Sequence, residues 1–275
     1  MTYTQVSYAV AEQIATITLD RGEQRNGFTV VMADELAEAF GQAESDAAVR
    51  AIVLAANGKD FCVGMDLSGG ELADVDQRDW VEPATRVTRP MYASTKPVIA
   101  AIQGAAAGFG VTMTLAADYR LASSDARFGF VFARRGLYPE GGSTWFLPRI
   151  VGLGRALDWM ISGRLFDAQE ALAAGLVRSL HERAELLPRA YDLAREIIAH
   201  CAPVSVAVIR QTLLRMGSCD SPEPAFELDS KLIASCARSP DAVEGIVSFL
   251  QRRAPQFPLS TPQDLPPFLP WLDRQ

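Results

Sequence analysis

The chain has 275 residues, 49% of them apolar and 21% charged, with a formal net charge of −7. That composition supports a large buried core and excludes a disordered chain. The acidic balance excludes nucleic acid and an anionic membrane as the main partner, and leaves room only for local basic spots that hold a phosphate-bearing ligand.

In chain order, the first residues lack a basic region followed by an apolar stretch, so no signal peptide is expected and the cytoplasm is the default location. Residues 6–10 and 14–19 flank Ala11-Glu-Gln13 and read as a β-hairpin. Thr29 opens a helical pattern with Val30, Val31, Leu36, Ala37 and Phe40 on one face. Residues 51–56 are continuously apolar, the signature of a strand buried on both faces of a sheet. Residues 66–82 are acidic and fit a loop or an exposed helix. The longest apolar stretch, 97–117, is broken by Gln103, glycines and threonines, so it reads as a strand over 97–102 and a small-residue helix over 108–117, not a membrane span. Residues 118–122 follow as a third strand. Strand, helix and strand alternate, which predicts an α/β fold with crossover connections.

From Gly154 helical patterns dominate, over 155–162, 168–174, 185–201, 204–216, 224–238 and 241–253. The last 22 residues hold six prolines among Phe257, Leu259, Phe268, Leu269 and Trp271, which predicts a non-helical tail docked on a surface, that of a neighbouring subunit included. Residues 1–200 are thus expected to form the α/β core, and 201–275 a helical C-terminal region for oligomerisation. The cysteines, Cys62, Cys201, Cys219 and Cys236, are widely spaced with no CxxC pair, so neither a disulfide framework nor a metal site is expected.

Three segments could carry chemistry. Lys59-Asp-Phe-Cys-Val-Gly-Met-Asp-Leu67 follows a buried strand, and Gln103-Gly-Ala-Ala-Ala-Gly-Phe-Gly110 joins a strand to a helix. Such glycines let two backbone N–H groups approach one carbonyl oxygen, or simply permit tight helix–sheet packing. In the third segment, Glu140 sits in a Pro-Glu-Gly-Gly turn before an apolar helical stretch. A carboxylate there is either a desolvated acid/base or an idle charge at a helix N-terminus.

These segments, in this order and spacing, resemble the crotonase (enoyl-CoA hydratase/isomerase) superfamily. So do Arg25-Asn-Gly-Phe28, Lys96-Pro-Val-Ile-Ala-Ala101, Ser162-Gly-Arg-Leu-Phe-Asp-Ala168, Glu170-Ala-Leu-Ala-Ala-Gly-Leu-Val177 and Glu244-Gly-Ile-Val-Ser-Phe-Leu-Gln-Arg-Arg253, so the resemblance spans nearly the whole chain. It implies a spiral of ββα units whose C-terminal helices mediate trimers, often paired into hexamers. It implies an acyl-CoA thioester as substrate, with no separate cofactor and no metal. Backbone N–H groups of Met65 and Phe109 would form the oxyanion hole, a Phe standing where the family usually has glycine. Val63, Gly64, Leu67, Gly108 and Phe132 would line the substrate, with Asp66 orienting its loop. Arg25, Phe249 and Arg252 occupy places that bind coenzyme A, or are ordinary surface residues. Hydratases of the family carry two glutamates at the positions of Thr112 and Phe132, and both are missing here. A lone acid at the position of Glu140 marks isomerase members, so the resemblance favours a shift of a 3-enoyl-CoA double bond to the 2-position. The alternatives are water addition using Glu140 alone, or a non-catalytic acyl-CoA binder.

Other reactive side chains are set aside. His181 and His200 fall in the helical C-terminal half, away from any serine, cysteine or acid cluster that would suggest a triad or a metal site, and Cys62 lacks a basic partner. Ser143 and Thr144 read as first-turn helix residues. Phe128, Phe130 and Phe132 alternate at period two and fit an acyl pocket or the core equally well.

Overall fold

A computed structural model describes residues 3–66 and 80–272. Strands β1 (Val6–Ala11) and β2 (Ile14–Leu19) form the expected hairpin. Its two turn residues, Glu12 and Gln13, have φ of 51° and 64°, the type I′ geometry that matches the twist of the strands. Helix α1 (Val30–Ser45) is capped by Thr29, whose hydroxyl accepts the Met32 N–H at 3.1 Å. Its buried face is Met32, Ala33, Leu36, Ala39, Phe40 and Ala43. Val31 is exposed, so the sequence reading had that face rotated.

Strand β3 (Ala51–Ala56) pairs parallel with β2 and with β4 (Val98–Ile102). With β6 (Tyr119–Ser123) and β9 (Ser179–His181) they make a sheet ordered β1-β2-β3-β4-β6-β9, parallel beyond the opening hairpin. Both faces are covered. Ile52, Leu54, Ala100 and Ile102 share a core with α1, while Ala51, Val53, Ile99 and Ala101 pack with Leu186, Ala190 and Ala194 of α7 (Arg183–His200). A strand so enclosed has no polar face, which is why its sequence runs continuously apolar.

A second sheet, β5-β7-β8, is built from three-residue strands: Ala105–Ala107, Arg127–Gly129 and Leu165–Asp167. The chain twice leaves the large sheet and enters the small one within a few residues, from β4 to β5 and from β6 to β7. That is the ββα repeat which the resemblance implies. The helix expected over 108–117 is α3 (Phe109–Thr112) followed by a 3-10 turn, Met113–Ala116. Most of the segment 66–82 lies outside the described residues, but Pro83–Ala93 is a helix, α2, that the sequence reading omitted.

The remaining helices are α4 (Ser143–Val151), α5 (Leu153–Ser162), α6 (Ala168–Ala173), α8 (Pro203–Met216), α9 (Glu223–Cys236) and α10 (Pro240–Gln251). Two buried cations tie helix ends to the core. The Lys96 ammonium, on a residue 1% exposed, donates to the carbonyls of Ala43 and Asp46 at the C-terminus of α1. Arg210 of α8 donates to the carbonyls of Met91, Tyr92 and Ser94 at the end of α2 and pairs with Asp118 at 2.8 Å. The proline-rich tail docks on its own chain: Leu269 and Trp271 are buried with Leu228, against Val208, Met216 and Leu232. Among the described residues no single helix is long and apolar enough to cross a membrane.

Candidate active site

Glu140 ends the loop before α4, and the turn that follows uses Gly141 and Gly142 at φ of 60° and 71°. These left-handed conformations suit glycine and let the chain reverse into the helix while the glutamate side chain points inward. The residue as a whole is part-exposed, yet its carboxyl is enclosed. One oxygen, Oε1, accepts the Thr112 hydroxyl at 2.6 Å. The other, Oε2, is buried without a hydrogen-bond partner. Burial pushes the Glu140 carboxyl up to about 8, the Thr112 hydroxyl pulls it back, and the nearby Glu82 carboxylate adds to the rise. Such a group holds or releases a proton near neutral pH.

Thr112→Val would remove that hydroxyl at nearly constant volume. The Glu140 pKa is expected to climb above about 8 by up to about one unit, the worth of one hydrogen bond to the charged form. An NMR titration of the Glu140 carboxyl carbon checks it, and an unmoved or lowered midpoint refutes it.

The cavity that Glu140 helps to line has a volume of about 480 Å³. Phe28, Met65, Trp80, Phe109, Phe132 and Tyr138 make its walls, with Gly64, Gly108, Glu82 and Glu140. A larger, more open groove of about 700 Å³ runs between α4 and α8, but it contains none of the residues singled out for chemistry. The smaller cavity is therefore the candidate site.

The two glycine segments meet at this cavity. Phe28 and Met65 form a parallel bridge, in which Phe28 N–H donates to Gly64 O and Asp66 N–H donates to Phe28 O, both at 2.8 Å. Those bonds point one edge of the strand at Phe28, and Met65's own N–H faces the opposite edge. There lies the second segment: a Cβ built on Gly64 would sit 3.1 Å from Ala107 O, and one on Gly108 would sit 3.7 Å from Gly64 Cα. Phe109 is the first residue of α3, a position whose N–H has no acceptor within its helix. Its ring packs on Phe28 at 3.6 Å between centroids, tilted by 31°, so the side chain at this position has an aromatic partner.

Of the residues expected to line the substrate, Gly64, Gly108 and Phe132 reach the cavity wall, together with Met65, Phe109 and Glu140. Val63 is adjacent but not on the wall, and Leu67 lies outside the described residues. Asp66 accepts from the Arg21 guanidinium at 3.1 Å, which fits a loop-orienting part. Arg25, Phe249 and Arg252 do not reach the cavity of their own chain. Arg25 pairs with Asp60 at 2.6 Å, Phe249 is 81% exposed, and Arg252 caps α10. The phenylalanine triplet divides: Phe128 and Phe130 stack with Phe166 in the core, and only Phe132 reaches the cavity. Cys62 is fully buried with its thiol pushed up to about 12 by burial, so it stays protonated and inert. His181 pairs with Ser179, and neither histidine is on the wall. Among the described residues no group of three or more His, Cys, Asp or Glu is placed to hold a metal.

Sequence reasoning missed three contributors. Thr112 was noted for the acid it replaces, not for its bond to Glu140, and with Thr114 two residues on, no local signal singled it out. Glu82 and Trp80 were missed with α2, although Pro83 marks a first helical position.

A family model described as enoyl-CoA hydratase/isomerase matches residues 9–259. The chain belongs to the enoyl-CoA hydratase/isomerase family. Among its relatives in that family, the enoyl-CoA hydratase ACTT3 of Alternaria alternata is 36% identical over 249 residues, covering 90% of this chain and 83% of its own. The 1,2-epoxyphenylacetyl-CoA isomerase of Escherichia coli is 31% identical over 253 residues, covering 90% and 96%. The crystal structure of an enoyl-CoA hydratase from Bacillus anthracis superposes with a TM-score of 0.86 at 28% identity, covering 92% of this chain and 99% of the other. The α/β fold expected from the sequence is that of the crotonase superfamily, and this family member is one of its enzymes.

Proposed function

We propose that this enzyme shifts the double bond of a 3-enoyl-CoA to the 2-position, with Glu140 as its single acid/base. The observation that carries the reading is Glu140 itself: it lines an apolar cavity, one carboxyl oxygen is held by Thr112, and the other is buried without a hydrogen-bond partner. The free carboxylate oxygen takes the proton from C2. The electron pair left behind spreads over the dienolate onto the thioester oxygen, which the Met65 and Phe109 N–H groups hold as charge grows. The same carboxylic acid then gives its proton to C4, the double bond closes between C2 and C3, and the site returns to its starting state. No water and no second acid enter this cycle.

Hydration is the rival, since relatives are named as hydratases. Hydratases of the family use an acid at the position of Phe132, which here presents a ring to the cavity. The cavity's other carboxylate, Glu82, already accepts from Gly141 N–H and Ala84 N–H, which leaves it poorly placed to activate water. For coenzyme A, Arg25, Phe249 and Arg252 keep their proposed roles only if a neighbouring copy brings them to the cavity. Phe226, Ile233, Ile246, Phe249 and Leu250 are exposed on α9 and α10, which supports assembly through the C-terminal region as a trimer or hexamer.

The test is to offer 3-hexenoyl-CoA and 2-hexenoyl-CoA separately and follow conjugation and hydration. Conjugation of the 3-enoyl thioester is the expected result. Hydration of the 2-enoyl thioester without conjugation sinks the reading, and no turnover of either supports a binder.

A further inference from the structure

We propose that Glu82 is a positioning residue for Glu140, its carboxylate fastening the peptide that carries the acid/base to the N-terminus of α2. The inference rests on the reading of Glu140 as the acid/base. The peptide between Glu140 and Gly141 is gripped at both ends: its carbonyl accepts Ser143 N–H at 3.0 Å, and its N–H donates to Glu82 Oε1 at 2.8 Å. Glu82 is held in turn, for Oε2 accepts Ala84 N–H at 2.7 Å and Oε1 also accepts the Thr85 hydroxyl. A glutamate is an unusual N-cap, since Ser, Thr, Asp and Asn serve that position with a shorter reach. The extra methylene lets one carboxylate cap α2 and still touch the neighbouring loop. There is little slack: a Cβ on Gly141 would stand 3.3 Å from Thr88 Cγ2 and 3.4 Å from Ala84 Cβ. Glu140 is thus fixed by α3 through its side chain and by α2 through its backbone.

The same contact brings a negative charge near the base. Other titratable or charged groups around it are Cys62, whose thiol stays neutral, and Arg135 and Tyr138 on the cavity wall. Thr112 and Glu82 act on Glu140 in opposite directions, the hydroxyl favouring the carboxylate and the second acid favouring its protonated form.

Rate–pH profiles with 3-hexenoyl-CoA, measured for the wild type, Glu82→Gln, Glu82→Asp and Glu140→Gln, test this. Glu82→Gln removes the charge and one of the two N–H contacts. Its kcat is expected to fall about 10- to 100-fold with KM within about threefold, and its acidic limb to move to lower pH. Glu82→Asp keeps charge and cap but is one methylene short of Gly141, so kcat falls while the limb stays near that of the wild type. Wild-type kcat and limb in both Glu82 variants, or a change in KM alone, overturn the proposal. If Glu82→Gln does not fold, the kcat of Glu82→Asp decides. Turnover retained by Glu140→Gln overturns the underlying acid/base reading instead, and is read separately.

Discussion

Glu140→Gln should leave acyl-CoA binding in place and lower turnover by roughly a thousandfold or more, the upper range for loss of a general acid/base. The amide keeps the shape of the carboxyl and still accepts the Thr112 hydroxyl, but it cannot take a proton from carbon. The same change should stabilise the protein at alkaline pH. The native carboxyl titrates at about 8, above its ordinary value of 4.5, so the folded chain binds a proton that the unfolded chain releases. The stability this lends is complete below pH 4.5 and is lost as pH rises through 8. The glutamine variant loses nothing over that window. Its melting temperature should match the wild type near pH 4.5 and exceed it near pH 9 by several degrees, for a gap of up to a few kcal/mol. Melting curves at both pH values check this. A constant gap would mean that the carboxyl is not held in its acid form by the fold.

The second large effect is steric. Gly110→Ala should cost upward of about 4 kcal/mol or abolish folding, because the methyl has nowhere to go. A Cβ on Gly110 would lie 1.9 Å from Cys62 O and 2.7 Å from Cys62 C. That carbonyl accepts the Ala107 N–H at 3.0 Å in the contact that joins the two glycine segments. Relief requires α3 to retreat, which breaks that bond and drags Phe109 N–H away from Met65. Urea denaturation and soluble yield give the answer; a variant as stable as the wild type would show that α3 can slide freely. If some protein folds, its turnover should fall along with its stability.

Much of this was legible in the chain. Residues 51–56 read as an enclosed strand because both sheet faces are apolar, and the hairpin was plain although its turn lacks glycine and asparagine. Glu140, in a glycine turn before an apolar stretch, read as either an acid/base or an idle charge, and only the resemblance gave it a role. The β5, β7 and β8 strands were not legible, since three residues are too few to display a period of two. Phe128 and Phe132 looked equivalent on alternation, but the backbone turns after Gly129 and sends them to different compartments. The hydrogen bond from Thr112 to Glu140 spans 28 residues, and no local pattern announces such a pairing. The aromatic tail was read as docked on a surface, that of a neighbouring subunit included, and Trp271 packs on α8 and α9 of its own chain.

The buried ammonium of Lys96 has a consequence for a protein that lives among reactive thioesters. Primary amines take acyl groups from thioesters without any catalyst, and the guanidinium of arginine does not. This chain has only three lysines, Lys59, Lys96 and Lys231, against 23 arginines. Lys96 is shut inside the fold with its amine spent on two carbonyls, and burial lowers its pKa without exposing it. The lysine whose acylation would unpick the end of α1 is the one that a stray acyl donor cannot reach, whereas Lys59 and Lys231 lie exposed on the surface.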